Sequence, residues 1–431
     1  MRLPGRLTAA IEVLADIEAR KRPAADALRD WGLSHRFAGS GDRAAIGNLV
    51  YDALRKRASH AFIMGEDTPR ALVLSVVASD WGEDIAALSA EFATDRFAPA
   101  ALSEAELHAL QSPERLDRAP DHVRAEIPEW LAASFATAFG PQWIAEGQGL
   151  AQRPPLDMRV NTIKSDIARV LKSLRRFDAE PGGLAPNAVR IAAGTRDART
   201  PNVQTDEGYI KGWFEIQDQG SQIVSALVDA GPGQQVLDIC AGGGGKTLAM
   251  AAAMTNKGQV FAYDADRARL APIHDRLKRA GVRNVQVVNP DPGALDDLER
   301  RMDRVLVDAP CTGTGTWRRR PDAKWRLSQA QLQARVVEQT EVLKNAARFV
   351  RPGGELVYVT CSLLPEENGN RIANFVAQHP DFSPVRVVDR WAACLGADAP
   401  APAWSDETSV TLTPATTATD GFYCAVLRRD A

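Results

Sequence analysis

Two of the five cysteines in this 431-residue sequence stand where a thiol could do covalent chemistry. Cys311 and Cys361 directly follow the apolar stretches RVLVDAP and GELVYVT, each of which predicts a β-strand. A thiol at a strand end can lie in a ligand cleft, where nearby positive charge stabilises the nucleophilic thiolate. Cys240 falls in a glycine-rich loop, whereas Cys394 and Cys424 fit the ordinary role of small buried apolar residues.

The overall pattern of cysteines and histidines excludes several classes of protein. An odd, sparse and one-sided set of cysteines does not form a disulfide framework, and the sequence has no CxxC or Cys/His cluster for zinc. A cysteine hydrolase needs a histidine base, but all six histidines lie outside the segments that carry Cys311 and Cys361. We therefore expect neither a metal centre nor a Cys/His hydrolase.

A glycine-rich loop, VLDICAGGGGKT, spans residues 236–247 between a predicted strand and a predicted helix. Such a loop brings its backbone close to a ligand at the helix N-terminus. A Walker loop would need glycine at position 240, which is cysteine, so that class is excluded. A dinucleotide loop and a tight turn without ligand stay open, but a loop for S-adenosylmethionine fits best beside the other motifs. The predicted cofactor contacts in this loop are Cys240, Ala241, Gly242, Gly243, Gly244, Gly245 and Lys246.

Aspartates end the three strands predicted after this loop. Asp264 follows the glycines by about 20 residues, the position from which a carboxylate accepts both ribose hydroxyls of a nucleoside. Its neighbour Asp266 is better placed to cap the next helix. Asp291 could accept a hydrogen bond from the adenine amino group, although its NPDP setting is also typical of a turn. Asp308 ends the third strand and completes the predicted cofactor contacts.

A basic, tryptophan-flanked segment follows Cys311 within VDAPCTGTGTWRRRPDAKWR. Cations suit phosphates and flat rings suit unpaired bases, so the segment is typical of contact with unpaired nucleic acid. The alternative is an ordinary solvated charged loop. The predicted RNA-binding residues are Trp317, Arg318, Arg319, Arg320, Lys324, Trp325 and Arg326.

The elements that must position these residues form an α/β pattern. From about residue 206, strands alternate with helices, which predicts a Rossmann-like, mainly parallel sheet covered on both faces. In such sheets ligands bind at the carboxyl ends of the strands, where the aspartates and cysteines fall. The predicted strands are QVLDIC, QVFAYDA, VQVVNPD, RVLVDAP, GELVYVTC and a late FYCAVLRR.

The rest of the chain divides into two further parts. Apolar residues recur at helical spacing up to about residue 95, and an Ala- and Pro-rich stretch at 97–125 is typical of a linker. We predict a helical domain at 1–135, a small α/β subdomain at 136–205 and a catalytic domain at 206–431. Residues 1–60 carry 11 basic and 7 acidic side chains, a weakly basic start that fits nucleic acid.

Composition places the chain among ordinary globular proteins. The sequence has 52 basic and 55 acidic residues and is 45% hydrophobic, which excludes a disordered or collagen-like chain. No apolar run approaches the ~20 residues that span a bilayer, and the first residues lack a secretory core. We expect a cytoplasmic protein with no membrane partner, and a monomer.

Taken together, these motifs resemble the RNA cytosine-C5 methyltransferases, and in particular the bacterial 16S ribosomal RNA methyltransferase B group. The resemblance is carried by FEIQDQGSQ, DAPCTGTG, RRRPDAKW, TCSLLPEEN and DGFYCAVL across residues 206–431. Residues 1–130 also resemble the NusB-like RNA-binding domain of that group, notably in DRAAIGNLVYDALR.

The resemblance implies a fold, a cofactor and a role for each catalytic residue. It implies a class I S-adenosylmethionine-dependent methyltransferase domain in which the Cys361 thiolate adds to cytosine C6. Cys311 would assist release of the product, Asp308 would bind the N3/N4 edge of the base, and Lys246 would lie in the same cleft. The favoured substrate is 16S rRNA. The alternatives are a tRNA methyltransferase, a catalytically silent RNA-binding or ribosome assembly factor, and a Rossmann oxidoreductase.

One departure from the family pattern concerns the cofactor loop. Family loops commonly have Ala or Pro where this chain has Gly242 and Gly243. Four consecutive glycines make the loop more flexible, and ordering each of them costs more backbone entropy. We therefore expect weaker cofactor binding than is usual in the family.

Overall fold

A computed structural model describes residues 1–111, 113–397, 399–400 and 402–431. The helices are α1 (Leu3–Arg20), α2 (Ala24–Ser34), α3 (Ser40–Arg55), α4 (Arg57–Met64), α5 (Pro69–Ser75), α6 (Ile85–Thr94), α7 (Glu104–Leu110), α8 (Asp121–Arg124), α9 (Ala132–Phe139), α10 (Trp143–Leu150), α11 (Ile167–Ser173), α12 (Glu207–Ile210), α13 (Gln219–Ala226), α14 (Gly245–Ala253), α15 (Arg267–Leu270), α16 (Ile273–Ala280), α17 (Pro321–Arg326), α18 (Gln329–Ala347), α19 (Gly369–Gln378), α20 (Val387–Leu395) and α21 (Pro414–Thr417). The strands are β1 (Leu156–Val160), β2 (Glu180–Pro181), β3 (Ala188–Ile191), β4 (Phe214–Ile216), β5 (Gln235–Asp238), β6 (Gln259–Tyr263), β7 (Val285–Val288), β8 (Met302–Asp308), β9 (Val350–Thr360), β10 (Phe382–Pro384), β11 (Trp404–Ser405), β12 (Ser409–Leu412) and β13 (Phe422–Arg429).

The chain forms two compact units. Unit 1 consists of Met1–Pro154, Ala193–Thr200 and Thr316–Leu327, and unit 2 of Pro155–Ala192, Pro201–Gly315 and Ser328–Ala431. The division interleaves the two units along the sequence, which the predicted boundaries at 135 and 205 do not anticipate. Among the described residues, no helix has both the length and the apolar character to cross a bilayer.

Unit 1 is helical, and apolar faces of α1, α3 and α5 build its core. Leu7, Leu14, Ile46, Leu49 and Leu72 are each at most 1% exposed and belong to one cluster of buried side chains. The segment predicted to be a linker contains α7 and α8. Local signals explain α7, since Ser103 and Glu106 form a capping box at its start.

The main sheet of unit 2 has nine strands in the order β11-β12-β13-β9-β8-β5-β6-β7, with β10 paired to β13. Strands β5 to β9 run parallel, whereas β13 is antiparallel to β9. This confirms the predicted Rossmann-like sheet. The register pairs Asp308 of β8 with Val359 of β9, so the residues that follow both strands lie at the same edge.

A separate four-stranded sheet in unit 2 has the antiparallel order β2-β3-β1-β4. Its strands β1 and β3 and its helix α11 match the small α/β piece predicted from the sequence. Strand β4, residues 214–216, pairs with β1 although it lies beyond the predicted boundary at residue 205. The FEIQDQGSQ motif therefore begins in the small sheet and continues into α13. The three-domain division stays a prediction.

Candidate active site

The two candidate catalytic cysteines meet at the carboxyl edge of the parallel strands. The Sγ atoms of Cys311 and Cys361 are 3.4 Å apart, within hydrogen-bonding distance, and both side chains are free thiols. The hydrogen bond to Cys361 and burial raise the pKa of Cys311 well above its usual value. Cys311 therefore keeps its proton at neutral pH, and a protonated thiol can donate to the Cys361 sulfur.

A lysine–carboxylate pair lies in the same cleft. Lys246 Nζ is 2.6 Å from Asp308 Oδ2. Burial alone would lower the pKa of Lys246, but attraction to Asp308 and to Cys361 outweighs burial, so the pKa is raised. The ammonium group is thus retained, close enough to Cys361 to attract negative charge on its sulfur. The structure brings together the four predicted catalytic residues Cys361, Cys311, Asp308 and Lys246.

A buried glutamate that the sequence argument missed ties together the loops carrying the two cysteines. Glu367 is 0% exposed and accepts hydrogen bonds from the Thr312 backbone N–H at 2.8 Å and from the Thr312 and Ser362 hydroxyls. Gln339 of α18 donates to Glu367 at 2.9 Å and to the Pro310 carbonyl at 3.0 Å. The signal was present in the motif TCSLLPEEN, but only the fold shows which carboxylate turns inward.

Two glycines make a second connection that the sequence did not reveal. Gly315 donates its N–H to the Cys361 carbonyl at 2.9 Å and accepts one from Gly421 at 2.8 Å. A Cβ atom at Gly315 would lie 2.2 Å from the Gly421 carbonyl oxygen, so no residue larger than glycine fits at position 315. The loop after Cys311 is therefore fixed against the DGF turn that precedes β13.

The glycine-rich loop turns sharply around Asp264. This aspartate is 4% exposed, and its Oδ2 accepts the Gly242 N–H at 2.9 Å. Gly242 and Gly244 have φ angles of +48° and +81°, a region that favours glycine. A Cβ atom at Gly244 would lie 2.5 Å from the Ile273 side chain. The turn at residues 242–245, called the cofactor cradle below, leads into the start of α14.

Comparison with known proteins matches this geometry to a family. A family model described as "16S rRNA methyltransferase RsmB/F" matches residues 225–428, and the ferredoxin-like domain model of the same family matches residues 127–196. Both matches are to the same family, which the chain resembles over these residues. A relative from Yersinia pseudotuberculosis (strain IP 31758), "Ribosomal RNA small subunit methyltransferase B", is 35% identical over 277 residues. That alignment covers 63% of this chain and 62% of the relative, so it spans less than two thirds of the relative's length.

Solved structures agree with this fold. The crystal structure of PH0851 matches with a TM-score of 0.73 at 24% identity and covers 100% of this chain and 99% of that chain. A methyltransferase homolog protein from Pyrococcus horikoshii matches with a TM-score of 0.58 at 27% identity, over 74% of this chain and 99% of that chain. The fold is that of the S-adenosylmethionine-dependent methyltransferases, and S-adenosylmethionine is the cofactor of the family.

The residues of the cradle fit this cofactor. The glycines leave room for close backbone approach, and buried Asp264 is a hydrogen-bond acceptor beside them. Asp266 is instead the N-cap of α15, accepting from the Ala268 N–H at 2.8 Å, as the capping interpretation predicted. Asp291 is largely exposed and pairs with Arg267 at 3.2 Å, so its adenine contact stays a prediction.

The predicted RNA-binding segment is largely buried in unit 1. Trp317, Arg318 and Lys324 are 1%, 3% and 1% exposed. The Trp317 ring stacks on Phe135 with centroids 6.0 Å apart, so it cannot stack on a base. Lys324 Nζ donates to the Arg55 carbonyl at 2.9 Å.

The RNA contacts predicted for Trp317, Arg318 and Lys324 stay predictions, and the burial of the three side chains argues against them. The indole N–H of Trp325 likewise donates to the Leu54 carbonyl at 2.6 Å, and its ring packs against the unit 1 core. Arg319 is half-buried, while Arg320 and Arg326 remain exposed. Arg326 pairs with Asp322 at 2.6 Å.

Proposed function

We propose that this chain transfers a methyl group from S-adenosylmethionine to C5 of a cytosine in RNA, with 16S rRNA as the substrate. The single observation that carries the proposal is the pair of thiols, 3.4 Å apart, beside the Lys246–Asp308 ion pair. The family and its named relatives support ribosomal RNA as the substrate. Because the reaction needs two reduced thiols, the protein is expected to work in the reducing cytoplasm.

The first chemical step makes C5 nucleophilic. The Cys361 thiolate adds to C6, forming a C6–S bond, and the electron pair of the C5–C6 double bond becomes available at C5. The Lys246 ammonium attracts the negatively charged sulfur, and the Cys311 thiol donates a hydrogen bond to the same atom. S-Adenosylmethionine, when bound, supplies the electrophilic methyl group that C5 takes.

The second step releases the product. A water molecule takes the C5 proton, the C5–H electron pair re-forms the C5–C6 double bond, and the C6–S bond breaks with its electron pair going to sulfur. Cys361 leaves as a thiolate, and Cys311 assists because its protonated thiol lies within hydrogen-bonding distance of the departing sulfur. The role of Cys311 is therefore larger in release than in addition.

Asp308 and Lys246 would orient the base during both steps. The Asp308 carboxylate can accept a hydrogen bond from the cytosine amino group, while Lys246 Nζ lies 2.6 Å from Asp308 Oδ2. In the cofactor cradle, Asp264 would hold the ribose hydroxyls, and the backbone of Cys240, Ala241 and Gly243 would line the loop.

We place one RNA contact on the small sheet of unit 2, since much of the basic segment is buried. Exposed Arg169 lies over the Trp213 ring with its guanidinium carbon 3.9 Å from the centroid. Lys211 also lies over this ring at 5.4 Å, and its one ion-pair partner is Glu207 among the described residues. An aromatic ring flanked by cations suits an unpaired RNA strand. Arg320 and Arg326 stay additional candidates.

A methyl-transfer assay with a matched cysteine control tests the function. The protein would be incubated with labelled S-adenosylmethionine and either 16S rRNA or tRNA, and the product nucleosides identified by mass spectrometry. We expect 5-methylcytidine in 16S rRNA, complete loss in Cys361→Ala, and normal activity in Cys394→Ala. Methylation of tRNA alone would show that tRNA, and not 16S rRNA, is the substrate. Full activity of Cys361→Ala would refute the mechanism. Absence of any transfer would favour the RNA-binding factor.

A further inference from the structure

Two arginines hold the backbone of the four-glycine cofactor loop. Arg276 Nη1 donates to the Gly243 carbonyl at 2.5 Å, and Arg159 Nη1 donates to the Gly245 carbonyl at 2.9 Å. Arg159 comes from β1 of the small sheet and Arg276 from α16. The two side chains therefore contact the loop from separate elements, and each one binds a glycine carbonyl.

Both arginines are themselves held by side chains of the FEIQDQGSQ motif. Glu215 is 2% exposed, and its Oε2 accepts from Arg276 at 3.1 Å. Gln217 accepts from Arg159 at 2.5 Å. Residues 215 and 217 lie two apart, so their side chains point to the same face of the extended segment. The β1–β4 register places Arg159 directly opposite Glu215.

The frame that carries these side chains does not depend on the loop. Asn161, directly after β1, donates from Nδ2 to the Gly212 and Ala280 carbonyls at 2.8 Å each. A Cβ atom at Gly212 would lie 2.0 Å from the Arg279 carbonyl oxygen, which shows how closely the segment before β4 approaches the end of α16. The small sheet and α16 are therefore held together by contacts that do not involve the glycine loop.

We propose that Arg276 and Arg159 are positioning residues that hold the four-glycine loop in its cofactor-binding conformation. A free glycine loop loses much backbone entropy when a ligand orders it, and this loss weakens binding. Hydrogen bonds from a fixed frame order the loop during folding, so the cofactor meets a preformed cradle. The inference deepens the proposed function and rests on its cofactor assignment, but it does not require RNA or methyl transfer.

The neighbouring arginine provides a matched control. Arg279 Nη2 binds the other oxygen of Glu215 at 2.6 Å, so Arg276 and Arg279 share one buried carboxylate. Only Arg276 of this pair has a hydrogen bond to a described loop carbonyl. Arg276→Met and Arg279→Met each remove one ion pair with Glu215, but only Arg276→Met also removes a hydrogen bond to the loop.

Calorimetry with S-adenosylhomocysteine, without RNA, measures the effect directly. We expect the Kd of Arg276→Met to rise about tenfold, the scale of one lost charge-assisted hydrogen bond, with a less favourable binding entropy. Arg279→Met should stay within about twofold of the wild type on the same scale. Equal Kd values for the two variants would overturn the proposal. If Arg276→Met does not fold, Arg276→Lys replaces it, because it keeps a cation beside Glu215 but lacks the guanidinium fork.

A second substitution separates loop order from general damage. A Cβ atom at Gly245 would have 3.7 Å to its nearest neighbour, Gln217 Nε2, and Gly245 is not among the residues with positive φ. Gly245→Ala should stiffen the loop and recover part of the affinity lost in Arg276→Met. In turnover, the KM for S-adenosylmethionine should rise in Arg276→Met while kcat is unchanged.

The outcomes distinguish this inference from the function on which it rests. No recovery by Gly245→Ala, or a fall in kcat without a rise in KM, would contradict loop positioning. Wild-type protein that does not bind S-adenosylhomocysteine would refute the cofactor assignment itself. Normal binding with no methyl transfer would refute the proposed reaction but not the positioning role of Arg276 and Arg159.

Discussion

Residues 307–315 and 316–327 adjoin in one sequence motif, but they belong to different units of the molecule. The first segment, VDAPCTGTG, begins with the last two residues of β8 in unit 2 and carries Asp308 and Cys311 into a cleft. The second, TWRRRPDAKWRL, packs into the helical unit 1, where Trp317 stacks on Phe135 and Lys324 binds the Arg55 carbonyl. Polar residue types that suggest ligand binding thus lie in the candidate active site in one segment and pack against helices in the other.

The difference lies in what satisfies each charged group. Lys246 pairs with the Asp308 carboxylate at a strand edge, whereas Lys324 donates to a backbone carbonyl. Arg55 donates to the Arg318 carbonyl and to Asp52 within its own unit. A cation bound to carbonyls of its own unit has little left to offer an external phosphate. Substitutions should therefore affect activity in the first segment and stability in the second.

Cys311→Ala should cause the largest change. Without the second thiol, release of Cys361 slows and a covalent protein–RNA adduct accumulates. Turnover should fall by about two to four orders of magnitude, the usual range for a positioned proton donor or acceptor. A denaturing gel with labelled RNA would detect the adduct, and the double variant Cys311→Ala/Cys361→Ala should show none. An adduct that persists in the double variant would assign the bond to another residue.

Trp317→Ala should give the second largest effect, on stability. Removing a ring that is 1% exposed leaves a cavity beside Phe135, and such truncations lower the free energy of unfolding by about 3–5 kcal/mol. Urea denaturation would measure the loss for unit 1. Weaker RNA binding with unchanged stability would instead restore Trp317 as an RNA contact and remove the contrast between the two segments.

Arg169→Glu should have an intermediate effect that is specific to RNA. Loss of one cation and gain of an anion beside Trp213 should weaken RNA binding by roughly tenfold at low salt, and less at high salt. Cofactor binding should not change. The control is Arg335→Glu, which reverses charge at an exposed arginine of α18. Equal weakening by the two variants would mean that the surface near Trp213 is not a specific contact.

Lys324→Met should give the smallest effect, visible as a change in pH dependence. Burial lowers the pKa of Lys324 to about 8, below its ordinary value of 10.5 in the unfolded chain. Between these values the unfolded state binds more protons, so stability should rise with pH from about 8 to 10.5. The difference in stability between the wild type and Lys324→Met, measured by thermal unfolding at each pH, should show this rise. A flat difference would mean that Lys324 keeps its proton throughout.

The sequence predicted the parallel sheet well, because continuous apolar strands and the turns between them are local signals. Strands β5, β6 and β8 lie within two residues of their predicted starts, and Asp266 caps a helix as its position indicated. Cys311, Cys361 and Asp308 could be brought together in advance since parallel strands end at one edge.

The remaining features depend on contacts between distant residues. Glu367, the Gly315–Gly421 approach and the arginines on the glycine loop join segments that are 55 to 106 residues apart or belong to separate elements. No local pattern marks which carboxylate turns inward or which tryptophan is buried. The burial of the basic segment could not be predicted for this reason, since its composition is the same whether solvent or helices surround it.

The close approach of Gly315 and Gly421 has a consequence for biosynthesis. Strand β13 lies between β9 and β12, and the turn before it is in contact with the loop after Cys311. The nucleophile, the second thiol and the carboxylate are all translated before this strand, yet the cleft lacks its final support until residues 421–429 leave the ribosome. A nascent chain is therefore expected to lack an assembled cleft until β13 has been translated and paired with β9.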